Sequence, residues 1–155
     1  MNADTAKAAA TVHASAVLVG ARAVLIRGPA GAGKSRLALA LVQAAERGLL
    51  TFARLVGDDR IELAACHGRI VARPARALAG LIEVRGLGIR RLDHEPVAVI
   101  GLVVDLAPSE AERLPGPAEQ EVAIAGISIP LLAIGPGLDP LPAVLARLLT
   151  SRAEI

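Results

Sequence analysis

The sequence predicts a single α/β domain with a mixed, strand-rich sheet. Most of the chain is a succession of short apolar runs separated by turns rich in glycine and proline, a pattern typical of strands. Only two segments carry the apolar spacing of an amphipathic helix, one ending near Gly48 and one at residues 142–152. The regular alternation of strand and helix found in a doubly wound sheet is missing, which favours a mixed sheet.

The composition is typical of one globular domain and gives no sign of binding to a nucleic acid or a membrane. A length of 155 residues fits one domain, expected to span residues 12–155 after a flexible N-terminus at 1–11. The net charge is only +2, and Trp and Tyr are absent, so nothing indicates nucleic-acid binding. No run reaches the ~18 apolar residues of a membrane span, and the single cysteine allows no internal disulfide. We therefore expect a cytoplasmic protein with no membrane partner.

Strands are expected along most of the chain. The first two, Val12–Val19 and Arg22–Arg27, are predicted to form a hairpin around Gly20 and Ala21. Residues 96–106 form the most apolar run and are expected to be a central strand. The remaining predicted elements are strands at 49–56, 61–65, 69–72, 81–84, 121–124 and 127–134, and a helical turn at 109–113.

A phosphate-binding motif follows the second strand directly. The pattern G-x-x-x-x-G-K-[ST] is satisfied by Gly28-Pro29-Ala30-Gly31-Ala32-Gly33-Lys34-Ser35. In such a P-loop the backbone N–H groups and the helix N-terminus face the phosphates, the lysine supplies positive charge, and the serine hydroxyl can bind Mg²⁺. A chance match is the alternative in a chain rich in Ala and Gly. The apolar strand before the motif and the amphipathic helix after it favour the functional interpretation.

Two adjacent carboxylates, Asp58 and Asp59, follow an apolar run. Placing two carboxylates together is unfavourable unless a cation uses them. One could face Mg²⁺, while the other could accept a proton from a hydroxyl substrate. The alternative is a plain turn, since Gly-Asp-Asp is good turn chemistry.

Glu83 and His13 each stand within predicted strands. A buried Glu83 would need a partner such as a metal ion, but the residue could equally occupy the solvated face of an alternating strand. His13 precedes the P-loop strand, where a lone histidine is more often structural than catalytic. His67 and His94 show no metal-binding spacing with it.

Taken together, these residues resemble the catalytic domain of the HPr kinase/phosphorylase family. The resemblance runs from about Val12 to Pro136 and follows the order His13, P-loop, paired aspartates, then the segment Leu81-Ile82-Glu83-Val84-Arg85-Gly86-Leu87-Gly88-Ile89. That last segment looks like the family signature and is far more specific than a P-loop. The chain looks like the short form of the family, with a catalytic domain only and a PEP-carboxykinase-like fold.

The resemblance also implies a role for each site residue. Lys34 and the loop amides would hold the phosphates of ATP, and Ser35 and Glu83, with Asp58 as a further candidate, would hold Mg²⁺. Asp59 would be the general base, and His13 would assist near the phosphates. Arg113 matches the family's catalytic arginine in position and would stabilise charge on the transferred group.

The substrate implied by the resemblance is a serine of HPr, the phosphocarrier protein of the sugar phosphotransferase system, or of its nitrogen-related counterpart. Members of the family form hexamers, so a homo-oligomer is also implied. The family couples the kinase to phosphorolysis of phosphoserine, in which phosphate attacks and pyrophosphate leaves. After Ile129-Pro130, however, this chain lacks the arginine of the loop that the family links to dephosphorylation.

Two further functions stay open on the residues alone. Arg85, Arg90 and Arg91 could belong to the arginine-bearing lid of a small-molecule P-loop kinase. A P-loop alone would also fit a sensor that binds a nucleotide without catalysing transfer.

Overall fold

The computed structural model describes residues 10–106 and 120–151 and confirms the α/β class with a mixed, strand-rich sheet. The strands are β1 (Ala10–His13), β2 (Ser15–Val19), β3 (Arg22–Arg27), β4 (Ala53–Gly57), β5 (Arg60–Cys66), β6 (Arg69–Pro74), β7 (Leu81–Val84), β8 (Gly88–Arg91), β9 (Ala98–Leu106), β10 (Gln120–Ile124) and β11 (Ile127–Ile134). The helices are α1 (Lys34–Glu46) and α2 (Pro140–Leu149), and a short 3-10 turn covers Arg76–Leu78.

Strand β9 is the centre of the main sheet, as its apolar sequence predicts. The strand order is β1-β5-β6-β9-β3-β2-β4, and β11, with β10 on its far side, also pairs with β9. β9 runs parallel to β3 and β11 and antiparallel to β6. The predicted hairpin of β2 and β3 is present, with Val19 paired to Arg22. Strands β7 and β8 form a separate hairpin.

Both faces of the sheet are covered by apolar residues. In β3, Val24 and Ile26 belong to a cluster that includes α1, whereas Ala23 and Leu25 belong to a second cluster. Alternate residues of a strand point to opposite faces, so the two clusters lie on opposite sides of β3. The P-loop strand is therefore buried on both faces, which gives the loop after it a rigid base.

Helix α1 follows the P-loop and ends as predicted. Its buried residues, Leu37, Ala38, Leu41 and Ala44, form one apolar face that packs against β2 and β4. At its end Gly48 has a φ of +77°, and its N–H donates to the Ala45 carbonyl while the Leu49 N–H donates to the Ala44 carbonyl. This is a Schellman motif, in which glycine takes the left-handed conformation that ends a helix.

Several element boundaries differ from the sequence-based expectation, most clearly in four places. The first predicted strand is divided into β1 and β2 at Ala14, and β1 begins at Ala10, inside the stretch predicted to be flexible, because it pairs with β5. β4 begins only at Ala53, since Leu49 and Leu50 still donate to the carbonyl of Ala44 at the end of α1.

The other two differences lie further along the chain. Residues Gly88–Arg91 form β8 and pair with β7, whereas no strand was predicted there. α2 begins at Pro140, capped by the Asp139 side chain, and buries Val144, while Leu149 is exposed. The predicted turn at 109–113 lies outside the described residues. Neither described helix is long and apolar enough to cross a membrane.

Candidate active site

The P-loop connects the end of β3 to the first residue of α1. Gly31 and Gly33 have φ values of +81° and +100°, a region that glycine enters without steric cost. Gly28 is restricted by close packing instead: a Cβ there would lie 2.9 Å from the backbone oxygen of Leu106 in β9. The loop therefore turns tightly against the sheet and presents the N-terminus of α1, the arrangement that binds phosphate groups.

Lys34 lies across this loop. Its Nζ donates to the carbonyl oxygens of Gly28, at 2.7 Å, and Pro29, at 3.1 Å. The ammonium group is thus held at the loop by main-chain oxygens, in the place where charge on a bound phosphate would be neutralised.

Asp58 is the buried acid of the site, with only 4% of its surface exposed. The Ser35 hydroxyl lies 2.8 Å from Oδ1 and 2.9 Å from Oδ2, and the backbone N–H of Glu83 donates to Oδ2 at 3.1 Å. The Ser15 hydroxyl donates to Oδ1 at 2.6 Å. One carboxylate of the aspartate pair is therefore in direct contact with the P-loop serine.

Asp59 points away from its neighbour because the chain reverses at this residue. Its φ is +68°, and the Arg60 N–H donates to the Asp58 carbonyl at 2.8 Å, which makes a γ-turn of positive φ. The Asp59 side chain is 67% exposed, and its Oδ1 lies 3.8 Å from Nδ1 of His13. The turn interpretation is therefore right, and the turn separates the two acids into a buried carboxylate beside Ser35 and an exposed carboxylate beside His13.

Glu83 lies on the solvated side of β7. Its side chain is exposed while the neighbouring Ile82 is buried, so the alternating-strand interpretation is right and a buried Glu83 carboxylate is not. The contact of Glu83 with Asp58 is made by its backbone N–H. The signature segment therefore contributes a main-chain donor to the site as well as an acidic side chain near it.

The oxygen donors around Ser35 are of the type that Mg²⁺ prefers. Mg²⁺ is usually held by one or two carboxylates together with substrate phosphates, rather than by a complete protein cage. A buried carboxylate hydrogen-bonded to the P-loop hydroxyl fits that requirement. Within residues 10–106 and 120–151, no three His, Cys, Asp or Glu side chains form a group that could hold a metal ion by themselves.

Sequence reasoning missed two contributions to the site. Ser15 is completely buried, and the only signal for it was a hydroxyl within an otherwise apolar strand. Arg27, the residue before the P-loop, forms an ion pair with Asp105 of β9. Arg113, predicted to stabilise the transferred group, lies outside the described residues.

Comparison with known proteins shows the family of the chain. The family model described as HPr Serine kinase C-terminal domain matches residues 5–135, most of the chain. The chain belongs to this family. The resemblance inferred from the P-loop, the paired aspartates and the signature segment is therefore confirmed.

Individual members of the HPr Serine kinase C-terminal domain family show the same relationship. The chain is 35% identical over 138 residues to HPr kinase/phosphorylase of Caldicellulosiruptor bescii, covering 80% of this chain and 41% of the relative. It is 30% identical over 135 residues to the enzyme of that name from Streptococcus thermophilus, with the same coverage. It thus spans about two fifths of the length of these curated relatives.

A solved structure, that of the Hpr(Ser) kinase/phosphatase from Coxiella burnetii, matches with a TM-score of 0.71 and 26% identity. The match covers 90% of this chain and 93% of that one. The predicted fold, that of a HPr kinase catalytic domain, is confirmed by this likeness.

Proposed function

We propose that this domain is an ATP- and Mg²⁺-dependent protein kinase that phosphorylates a serine of an HPr-type phosphocarrier protein. The observation that carries the proposal is the bond between the Asp58 carboxylate and the hydroxyl of the P-loop residue Ser35. It places a buried carboxylate beside the phosphate-binding loop, the pairing that holds Mg²⁺ against bound phosphates in P-loop proteins. Membership of the HPr Serine kinase C-terminal domain family supports the choice of substrate.

The metal would be held by oxygen atoms of Ser35, Asp58 and Glu83. When bound, Mg²⁺ would neutralise charge on the phosphates of ATP. Asp58 keeps the Ser35 hydroxyl in one orientation by accepting a hydrogen bond from it, so that the lone pairs of Oγ are directed away from the carboxylate.

The remaining site residues would act in the phosphoryl-transfer step. Asp59 accepts the proton of the substrate serine as its oxygen forms a bond to the γ-phosphorus, while the bond from that phosphorus to the leaving oxygen of ADP breaks. Solvent exposure of Asp59 suits this role, since the incoming serine belongs to another protein. His13 lies beside this carboxylate, and Lys34 and Arg113 would stabilise charge on the phosphoryl group.

The reverse direction uses the same groups. An oxygen of inorganic phosphate would form a bond to the phosphorus of phosphoserine while the bond from that phosphorus to the serine oxygen breaks. Asp59 would pass the proton taken from the attacking phosphate to the serine oxygen, and pyrophosphate would leave. The names of the relatives from C. bescii and S. thermophilus, kinase/phosphorylase, support this second activity.

The decisive experiment is incubation of the purified protein with HPr, labelled ATP and Mg²⁺, followed by mapping of the label by mass spectrometry. Label on one serine of HPr is the expected result. ATP consumption without HPr labelling would instead indicate a small-molecule kinase, and ATP binding without consumption would indicate a sensor. Adding phosphate and pyrophosphatase to labelled HPr then tests the reverse reaction.

We also propose that the protein acts in the cytoplasm as a homo-oligomer, with a hexamer as the expected state. Family membership supports both statements, because the substrate class is cytoplasmic and related enzymes are expected to assemble in this way. Light scattering of the purified protein measures the assembly directly.

A further inference from the structure

Ser15 is a buried hydroxyl in direct contact with the acid of the proposed metal site. Its surface exposure is 0%, and its Oγ donates to Asp58 Oδ1 at 2.6 Å. The register of the sheet explains this contact. Ala16 of β2 pairs with Gly57 of β4 in an antiparallel register, so Ser15, the residue before Ala16, lies beside Asp58, the residue after Gly57.

The Asp58 carboxylate is thus restrained by hydrogen bonds from three elements. Ser15 of β2 donates to Oδ1, the Glu83 N–H of β7 donates to Oδ2, and Ser35 of α1 lies within hydrogen-bond distance of both oxygens. Rotation of an aspartate about χ2 is normally soft, so the plane of a carboxylate depends on such partners. Ser15 and Glu83 each bond a different oxygen of this carboxylate, so together they restrain its plane independently of the P-loop serine.

A fixed carboxylate plane determines the direction of the Ser35 hydroxyl. That hydroxyl has one hydrogen. While it is donated to Asp58 in a hydrogen bond, the lone pairs of Ser35 Oγ remain available for a metal ion. If Oδ1 lost its bond to Ser15, the carboxylate could turn, and the Ser35 proton would no longer be held in one place. Groups that orient metal ligands in this way change metal affinity without touching the metal.

We propose, on the basis of the function proposed above, that Ser15 is a positioning residue for the magnesium site. It acts through Asp58 on the P-loop serine and does not contact the nucleotide. Its effect is therefore confined to the part of nucleotide affinity that depends on Mg²⁺.

The test is calorimetric titration of ADP into the full-length protein with and without Mg²⁺. In Ser15→Ala the gain in ADP affinity produced by Mg²⁺ is expected to fall by about 10-fold or more, while metal-free ADP affinity stays at the wild-type value. Ser15→Thr keeps the hydroxyl and is expected to retain most of the gain. Ser128→Ala, which removes an exposed hydroxyl bonded to Glu121, serves as the matched control.

Two results would overturn the inference. One is a Ser15→Ala variant in which Mg²⁺ raises ADP affinity as much as in the wild type. The other is an equal loss of ADP affinity with and without Mg²⁺, which would indicate a general disturbance of the loop. If Ser15→Ala unfolds early on heating, Ser15→Cys fills the same volume with a weak donor and is expected to show the same selective loss. The ADP titration contains no HPr, so it does not depend on the proposed substrate. If the wild-type protein fails to phosphorylate HPr, the proposed substrate is overturned and this inference stands.

Discussion

The guanidinium of Arg27 and the carboxylate of Asp105 join the P-loop strand to its parallel neighbour β9. Nε lies 2.7 Å from Oδ1 and Nη2 lies 2.9 Å from Oδ2, so the pair is bidentate. The two residues are also partners in the strand register. The ion pair therefore holds the two strands together at the point where the chain enters the phosphate-binding loop.

Replacing Asp105 by Asn is expected to destabilise the fold. The Asp105 side chain is only 13% exposed, and loss of its charge leaves the Arg27 guanidinium with a weaker partner. The free energy of unfolding should fall by about 1–3 kcal/mol, measured by urea denaturation. Glu95→Gln is the control, since the pair it forms with Arg54 is more exposed and should contribute less than about 1 kcal/mol. Equal effects of the two substitutions would contradict the structural role given to Asp105.

Replacing Asp58 by Asn is expected to remove magnesium-dependent activity. The amide places an N–H₂ group among donors that include Ser15, Ser35 and the Glu83 N–H, so at least one hydrogen bond becomes a donor–donor contact. Affinity for Mg²⁺ in the nucleotide complex should fall by about 10–100-fold.

The measurement for Asp58→Asn is a titration of Mg²⁺ into the ADP complex. Asp93→Asn, an exposed aspartate after β8, is the control and should behave as wild type. A normal magnesium affinity in Asp58→Asn would remove Asp58 from the metal site.

Replacing Asp59 by Asn is expected to abolish transfer and leave MgATP binding intact. Asn tolerates the left-handed conformation that φ of +68° requires, so the turn should survive while the proton acceptor is lost. HPr phosphorylation should slow by about 10²–10⁴-fold, measured under single-turnover conditions. Asp139→Asn, at the N-cap of α2, should have no effect because Asn caps equally well. Undiminished transfer by Asp59→Asn would exclude it as the base.

Replacing Glu83 by Gln distinguishes the contribution of its carboxylate from that of its backbone N–H. The backbone bond to Asp58 is kept, and the exposed side chain should alter the free energy of unfolding by no more than about 0.5 kcal/mol. Loss of the carboxylate should nevertheless weaken Mg²⁺ affinity by at least about 10-fold if it is a ligand. Glu46→Gln, at the far end of α1, is the control. A stable variant with wild-type magnesium affinity would show that only the backbone of Glu83 matters.

Local chemistry predicted the P-loop, the helix after it and the central strand, because each depends on neighbours in the sequence. Gly48 ends α1 as glycine does after many helices, and the apolar run at 96–106 became the strand that joins both halves of the sheet. The same reasoning offered a turn at the aspartate pair, which the structure contains, but it did not give the contact of Asp58 with Ser35.

The features that sequence reasoning missed depend on contacts between distant residues. Ser15 and Asp58 are 43 residues apart, and only the pairing of β2 with β4 makes them neighbours. β8 was missed because its residues are all exposed and carry no apolar alternation. The choice between a buried and a solvated Glu83 required knowing which side of β7 faces the core.

The tight packing of Gly28 against the Leu106 carbonyl has a consequence for sequence variation in the loop. Because a Cβ at Gly28 would lie 2.9 Å from the Leu106 oxygen, any larger residue there would have to push the loop away from β9. Position 28 is thus closed to substitution, whereas the exposed side chain of Ala30 can vary in size and polarity without meeting this contact.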